Sequence, residues 1–150
     1  MSEGQPTERE TDAFMRFMKL LPHGKDIELV VLKAHLLIEE QIHLIVRNRL
    51  QNPDVLGRLN CGQAIKLAQA FYPPEHEPET WKAVKQLNSL RNDIAHQLQS
   101  DQLKDKMQAL VRSFPSGFAN IAEDDQDNFE LTMWSLFVAV SSLAEHGHES

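Results

Sequence analysis

The stretch from Asp26 to Gln51 constrains this chain more than any other, because it is apolar on nearly every side of a helix. Ile27, Val30, Val31, Leu32, Ala34, Leu37, Ile38, Ile42, Ile45 and Val46 leave little of the circumference polar. A helix of this kind is covered on most sides, so the pattern predicts the central helix of a bundle or one shared with a partner chain. At a rise of 1.5 Å per residue, ~26 residues would span about 39 Å, most of a small domain. Lys33, His35, Glu39 and Glu40 interrupt the apolar run. No membrane span is therefore expected.

The remaining segments read as further helices at the same period. Residues 1–7 are expected to be disordered. Thr7 and Glu10 form a capping-box pattern, and Phe14, Phe17, Met18 and Leu21 follow at helical spacing up to the break at Pro22-His23-Gly24. Asn52-Pro53 ends the long helix. Asn60, with Gln63 at the reciprocal position, predicts the capped start of a helix running to Phe71. After Tyr72-Pro73-Pro74, Pro78 is well placed to start a helix running to Leu98, with Trp81, Val84, Leu87, Leu90, Ile94 and Leu98 on its apolar stripe. Ser100 can cap the next, whose stripe is Leu103, Met107, Leu110, Val111 and Phe114, ending at Pro115-Ser116-Gly117. Acidic residues from Glu123 to Asp127 suit the positive end of a last helix dipole. That helix packs through Phe129, Met133, Leu136, Phe137, Val140 and Leu143, with Trp134 on its flank. No alternating strand pattern and no internal repeat occurs. The expectation is an all-α, up-down bundle of about six helices around four long ones, a single domain over residues 8–146 with a frayed tail at 147–150.

Composition narrows the function classes. One domain with a real core fits 150 residues, of which 41% are hydrophobic and 25% charged. A single cysteine, Cys61, excludes an internal disulfide framework and fits a reducing cytoplasmic setting. Met1 to Glu10 is polar and acidic, unlike a secretory signal. The net charge of −7 counts against broad, nonspecific nucleic-acid binding, which draws its affinity from Lys and Arg on phosphates. A small positive cleft inside an acidic surface stays compatible with it. Lys82, Lys85, Arg91, Lys104, Lys106 and Arg112 give one segment a local basic excess, and the lysines are read as solvated helix faces.

Within that segment lies the most informative hexamer, Arg91-Asn92-Asp93-Ile94-Ala95-His96. At about 100° per residue, Arg91 falls in the apolar stripe near Val84 and Leu98, and His96 about 140° away. Asn88, Asn92 and Ala95 fill the strip between them. A guanidinium in that position must be paired or face a cleft, because an isolated buried charge is very costly.

An Arg, a polar residue, three more residues and a His resemble the R-x4-H signature of HEPN domains, small helical modules often found in bacterial defence systems. The resemblance extends over roughly residues 26–143: a long apolar helix, a second helix after a break, the motif helix and a closing helix. It implies a homodimer in which Arg91 and His96 of two protomers meet and cut RNA without a metal. In that role Arg91 holds the scissile phosphate, His96 acts as general acid or base, and Asn92 orients the imidazole or contacts the phosphate. The products implied carry 2′,3′-cyclic phosphate ends. A neutralising protein partner is also implied. Polar residues on a neighbouring helix are expected beside the motif, with Glu39 or Glu40 as candidates to pair with Arg91 and Asn88 as a further binding residue. A toxin subgroup carries a Tyr two residues after the His, where its partner modifies it. Here that position is Leu98, so this mode of regulation is not expected.

The chain also looks like the mannitol operon repressor family, small acidic helical proteins that bind other proteins. That likeness implies a non-catalytic interaction or regulatory protein.

Other constellations have blander readings. His35, Glu39 and His43 recur every four residues on one side of the long helix. They are either metal ligands or, the favoured reading, a hydrogen-bonded seam. Glu40-x-x-His43 resembles half of a di-iron motif, but its second copy, Glu145-x-x-His148, falls in the tail. Cys61 near a helix start is read as packing. No Gly-rich phosphate loop, paired-cysteine zinc motif or nucleophile elbow occurs, so no cofactor or metal is expected.

Overall fold

A computed structural model describes residues 8–21, 26–96, 100–114 and 125–145. Among these residues the chain is an all-α bundle of six helices: α1 (Glu8–Leu20), α2 (Ile27–Arg49), α3 (Cys61–Ala70), α4 (Pro78–Ala95), α5 (Ser100–Ser113) and α6 (Asp125–Glu145). A 3₁₀ turn at Pro53–Leu56, which the sequence reading does not anticipate, links α2 to α3.

The central element is α2. Val30, Val31, Ala34, Leu37, Ile38, Ile42, Ile45 and Val46 are all buried, because α2 packs most extensively on α6 and also contacts α3 and α4. Asp26 is the N-cap: its carboxylate accepts from the Glu28 amide at 2.9 Å, so helical geometry begins at Ile27. At the other end Leu50 is already extended. The helix is thus 23 residues, shorter at both ends than the apolar run.

The Asn60–Gln63 capping box forms as the sequence pattern requires. Asn60 accepts from the Gln63 amide at 2.8 Å, and the Gln63 side chain accepts from the Asn60 amide at 3.1 Å. Pro78 opens α4. The residue before it, Glu77, sits in the left-handed region at φ 52°, held by the Thr80 hydroxyl donating to its carboxylate at 3.1 Å. The expected run to Leu98 is shortened: α4 ends at Ala95, with His96 as C-cap.

Residue pairs fix helix directions. His35 of α2 meets Asn88 of α4, while Arg49 lies against Tyr72 just before α4, so the two helices run antiparallel. Asp93 pairs with Lys106 and Gln86 with Ser113, which makes α5 antiparallel to α4. The C-terminal ends of α2 and α6 meet, where Asn48 donates to the Ala144 carbonyl at 3.0 Å.

The core contains the expected stripes. Trp81, Val84, Leu87 and Leu90 of α4, Leu103, Met107 and Leu110 of α5, and Phe129, Met133, Leu136, Phe137 and Val140 of α6 are buried in one cluster. Ala144 joins it, whereas Leu143 is half-buried. The caps at Thr7, the Pro115-Ser116-Gly117 break, Leu98 and His148 lie outside the described residues. No described helix is long and apolar enough to cross a membrane.

Candidate functional site

A groove of about 1120 Å³ opens where α2, α4 and the N-terminus of α3 come together. From α2 it takes His35, Glu39 and His43, with Leu32 and Leu36 beside them. From α4 it takes Asn88, Arg91 and Asn92. The segment from Gly57 to Gln63 supplies the third wall, including Arg58, Asn60 and Cys61. Gly57 turns the chain into this wall at φ 67°, a left-handed conformation that suits a residue without Cβ.

Periodicity explains the two helical walls. His35, Glu39 and His43 share a side of α2 at four-residue steps, and Asn88, Arg91 and Asn92 share one of α4 at steps of three and one. Antiparallel packing sets these sides against each other. The link between them is His35 Nε2 to Asn88 Oδ1, 3.0 Å. An amide oxygen only accepts, so Nε2 carries the hydrogen and Nδ1 of the neutral ring carries the lone pair. His43 Nε2 lies 3.9 Å from Glu39 Oε2. Within the row, then, His35 is hydrogen-bonded across to α4, and His43 lies within ion-pair reach of Glu39 but beyond hydrogen-bond distance. Among the described residues no three His, Cys, Asp or Glu side chains are arranged to hold a metal ion.

Burial sets the protonation states. His35 is 8% exposed, and this desolvation pulls its pKa below the ordinary histidine value, with Arg91 acting the same way. The Asn88 hydrogen bond and the Glu39 carboxylate oppose the shift without reversing it. His35 is thus neutral at neutral pH. Burial, then the adjacent Glu39 carboxylate, pushes the Cys61 thiol up to about 12. The thiol beside Glu39 is therefore protonated at neutral pH and in that form a weak nucleophile.

The structure separates the sequence candidates into two groups. Arg91, Asn92, Asn88 and Glu39 converge on the groove. Arg91 is exposed there, facing the cleft, and forms no ion pair among the described residues. Its expected pairing with Glu39 or Glu40 is not made. Glu39 is engaged by Cys61 and His43, and Glu40 points to the other side of α2, where Arg16 of α1 donates to it at 2.6 and 3.2 Å.

His96 does not line the groove. It caps α4, exposed, and its contact with Asn92 is the backbone amide donating to the Asn92 carbonyl at 3.1 Å. This matches its position 140° around the helix from Arg91. The expected orientation of the imidazole by the Asn92 side chain is not seen within the protomer. Conversely, the sequence pattern places His35 in a row on α2, metal-ligating or, as favoured, a hydrogen-bonded seam, and does not join it to the Arg91 strip. The available signal was its alignment with Glu39, but its partner is 53 residues away in sequence. Arg58 carried no local signal at all.

No family model, curated protein or solved structure matches this chain.

Proposed function

We propose that the groove binds RNA and that the chain is a metal-independent endoribonuclease of HEPN type, acting as a homodimer. The observation that supports this most is Arg91: an exposed guanidinium, without an ion-pair partner among the described residues, set among amide and imidazole side chains. A guanidinium fork is suited to a phosphodiester, and surrounding amides can hydrogen-bond sugar or base edges. Arg58 adds a second positive charge to the same groove. In this reading Arg91 binds the scissile phosphate and offsets its developing charge. His96 transfers protons, imidazole being the side chain most often used for positioned acid–base work. Because Arg91 and His96 diverge around α4, a second protomer is required to bring one protomer's His96 to the other's Arg91.

The test is cleavage of single-stranded RNA by purified protein in the presence of EDTA. His96→Ala is expected to slow it by ~100-fold or more, the scale for losing a positioned acid–base group. Equal trace cleavage by wild type and His96→Ala across several RNAs rejects the reading. Light scattering that gives a stable monomer at micromolar concentration also counts against it.

A second reading, an interaction protein resembling the mannitol operon repressor family, is favoured by one feature. Leu29, Leu32 and Leu36 form an exposed row on α2, at 43%, 38% and 46% exposure. Such a row is suited to a protein partner. Under this reading no RNA is cut, and aspartate substitutions in the row abolish binding to that partner.

A further inference from the structure

Within one protomer, the imidazoles that share a groove with Arg91 are those of His35 and His43, not His96, and of these two His35 is the one hydrogen-bonded across to α4, through Asn88. His35 reaches it from α2, a helix outside the R-x4-H segment. Its ring is fixed by Asn88, one turn before Asn92 on α4, and its small exposed part lies in the groove. His96 is five residues past Arg91 and turned away from that wall. Cleavage by attack of a 2′-hydroxyl needs two proton transfers, one from the attacking oxygen and one to the leaving oxygen.

We propose that His35 is a catalytic residue of this groove, the general base that removes the 2′-hydroxyl proton of an RNA strand whose phosphate is held by Arg91 of the same protomer. This rests on the nuclease reading above. In the step, the 2′-hydroxyl proton passes to His35 Nδ1 while the 2′-oxygen bonds to phosphorus. The bond from phosphorus to the 5′-oxygen breaks, and that oxygen takes a proton from protonated His96 of the second protomer, the acid. The products are a 2′,3′-cyclic phosphate and a 5′-hydroxyl. No electrons are exchanged; His35 returns its proton to solvent and His96 takes one back, which restores both side chains.

Several features fit a base at this position. The Asn88 contact leaves the lone pair on one defined nitrogen. Facing groups come from each packed element: Glu39 and His43 on α2, Cys61 on α3 and Arg91 on α4. Burial and Arg91 keep the ring neutral, hence able to accept a proton near pH 7. Glu39 stabilises the imidazolium formed during the step.

The experiment measures single-turnover cleavage of single-stranded RNA in EDTA by wild type, His35→Gln and His96→Ala across pH 5–8. His35→Gln is expected to lose ~100-fold or more and to lose the acidic limb of the pH–rate profile, with helical content and oligomeric state unchanged. Wild-type rates in His35→Gln, with cleavage still lost in His96→Ala, overturn the role of His35 and leave the nuclease reading standing. A wild type that cuts nothing overturns both. Should His35→Gln unfold, histidine C2-proton NMR of the wild-type protein titrated with uridine 3′-monophosphate decides. A shift of the His35 resonance that Arg91→Gln abolishes supports the proposal, and an unmoved His35 resonance overturns it.

Discussion

The two sides of α2 are built from opposite materials. Toward α1 and α6 lies an aromatic wall: the Phe17 ring stands 4.9 Å from Phe137 and 6.0 Å from Trp134, and Phe17 and Phe137 are buried. Toward α3 and α4 lies the groove, where His35, Glu39, Asn88 and Arg91 meet beside Cys61. On the first side, stability comes from apolar area removed from water and needs no exact partner. On the second, each polar group is either held by a specific neighbour or left facing solvent. One helix thus carries both the fold and the site, and substitutions on its two sides should fail in different ways.

The largest expected effect breaks the aromatic wall. Phe17→Ala should cost about 3–5 kcal/mol in chemical denaturation, as for other buried aromatics. Arg91→Ala, exposed and without an ion-pair partner, should stay within about 0.5 kcal/mol. A large stability loss from Arg91→Ala would mean that the groove wall is structural after all.

Cys61 sharpens the contrast next. With its pKa pushed up to about 12, alkylation near pH 8 should run on the order of a thousandfold slower than for free cysteine, from thiolate fraction alone. Its raised pKa contributes stability that is present below 9.0 and lost as pH rises toward about 12. Rapid labelling of the native protein at pH 8 would contradict the Glu39 contact and the burial.

A smaller effect is expected at the rim. Asn60→Ala removes the half of the capping box made by the Asn60 side chain and should cost ~1 kcal/mol, read as a lower denaturation midpoint with α3 fraying first in hydrogen exchange.

The smallest concerns pH. His35 has a depressed pKa when folded, so the unfolded chain binds more protons in the window below the ordinary histidine value of 6.5. Stability should therefore be full above pH 6.5 and decline as pH falls through the folded value. In His35→Gln this part of the decline should vanish. An unchanged acid profile in that variant would assign the decline to the carboxylates.

How much was legible in the sequence depended on how local each interaction is. The Asn60–Gln63 box could be read directly because its partners are three residues apart. The buried stripes of α4, α5 and α6 could be read because a 3.6-residue period and a single core face leave few alternatives. Even the divergence of Arg91 and His96 follows from their spacing. The partner of Glu40 was misread because adjacent residues on a helix point about 100° apart, and only the position of α1 decides which of Glu39 and Glu40 meets an arginine.

By itself, then, the sequence determined an all-α chain, its helix order, its core faces and a polar strip beside one of them, since all of these are set by spacing along a single helix or by caps within one turn. Tertiary packing alone decided that His35, not His96, shares a groove with Arg91, that Glu39 quiets Cys61, and that Leu29, Leu32 and Leu36 stay uncovered. Each depends on which helix lies against which side of α2. That choice is made by the summed burial of the whole core, which no local stretch of sequence contains.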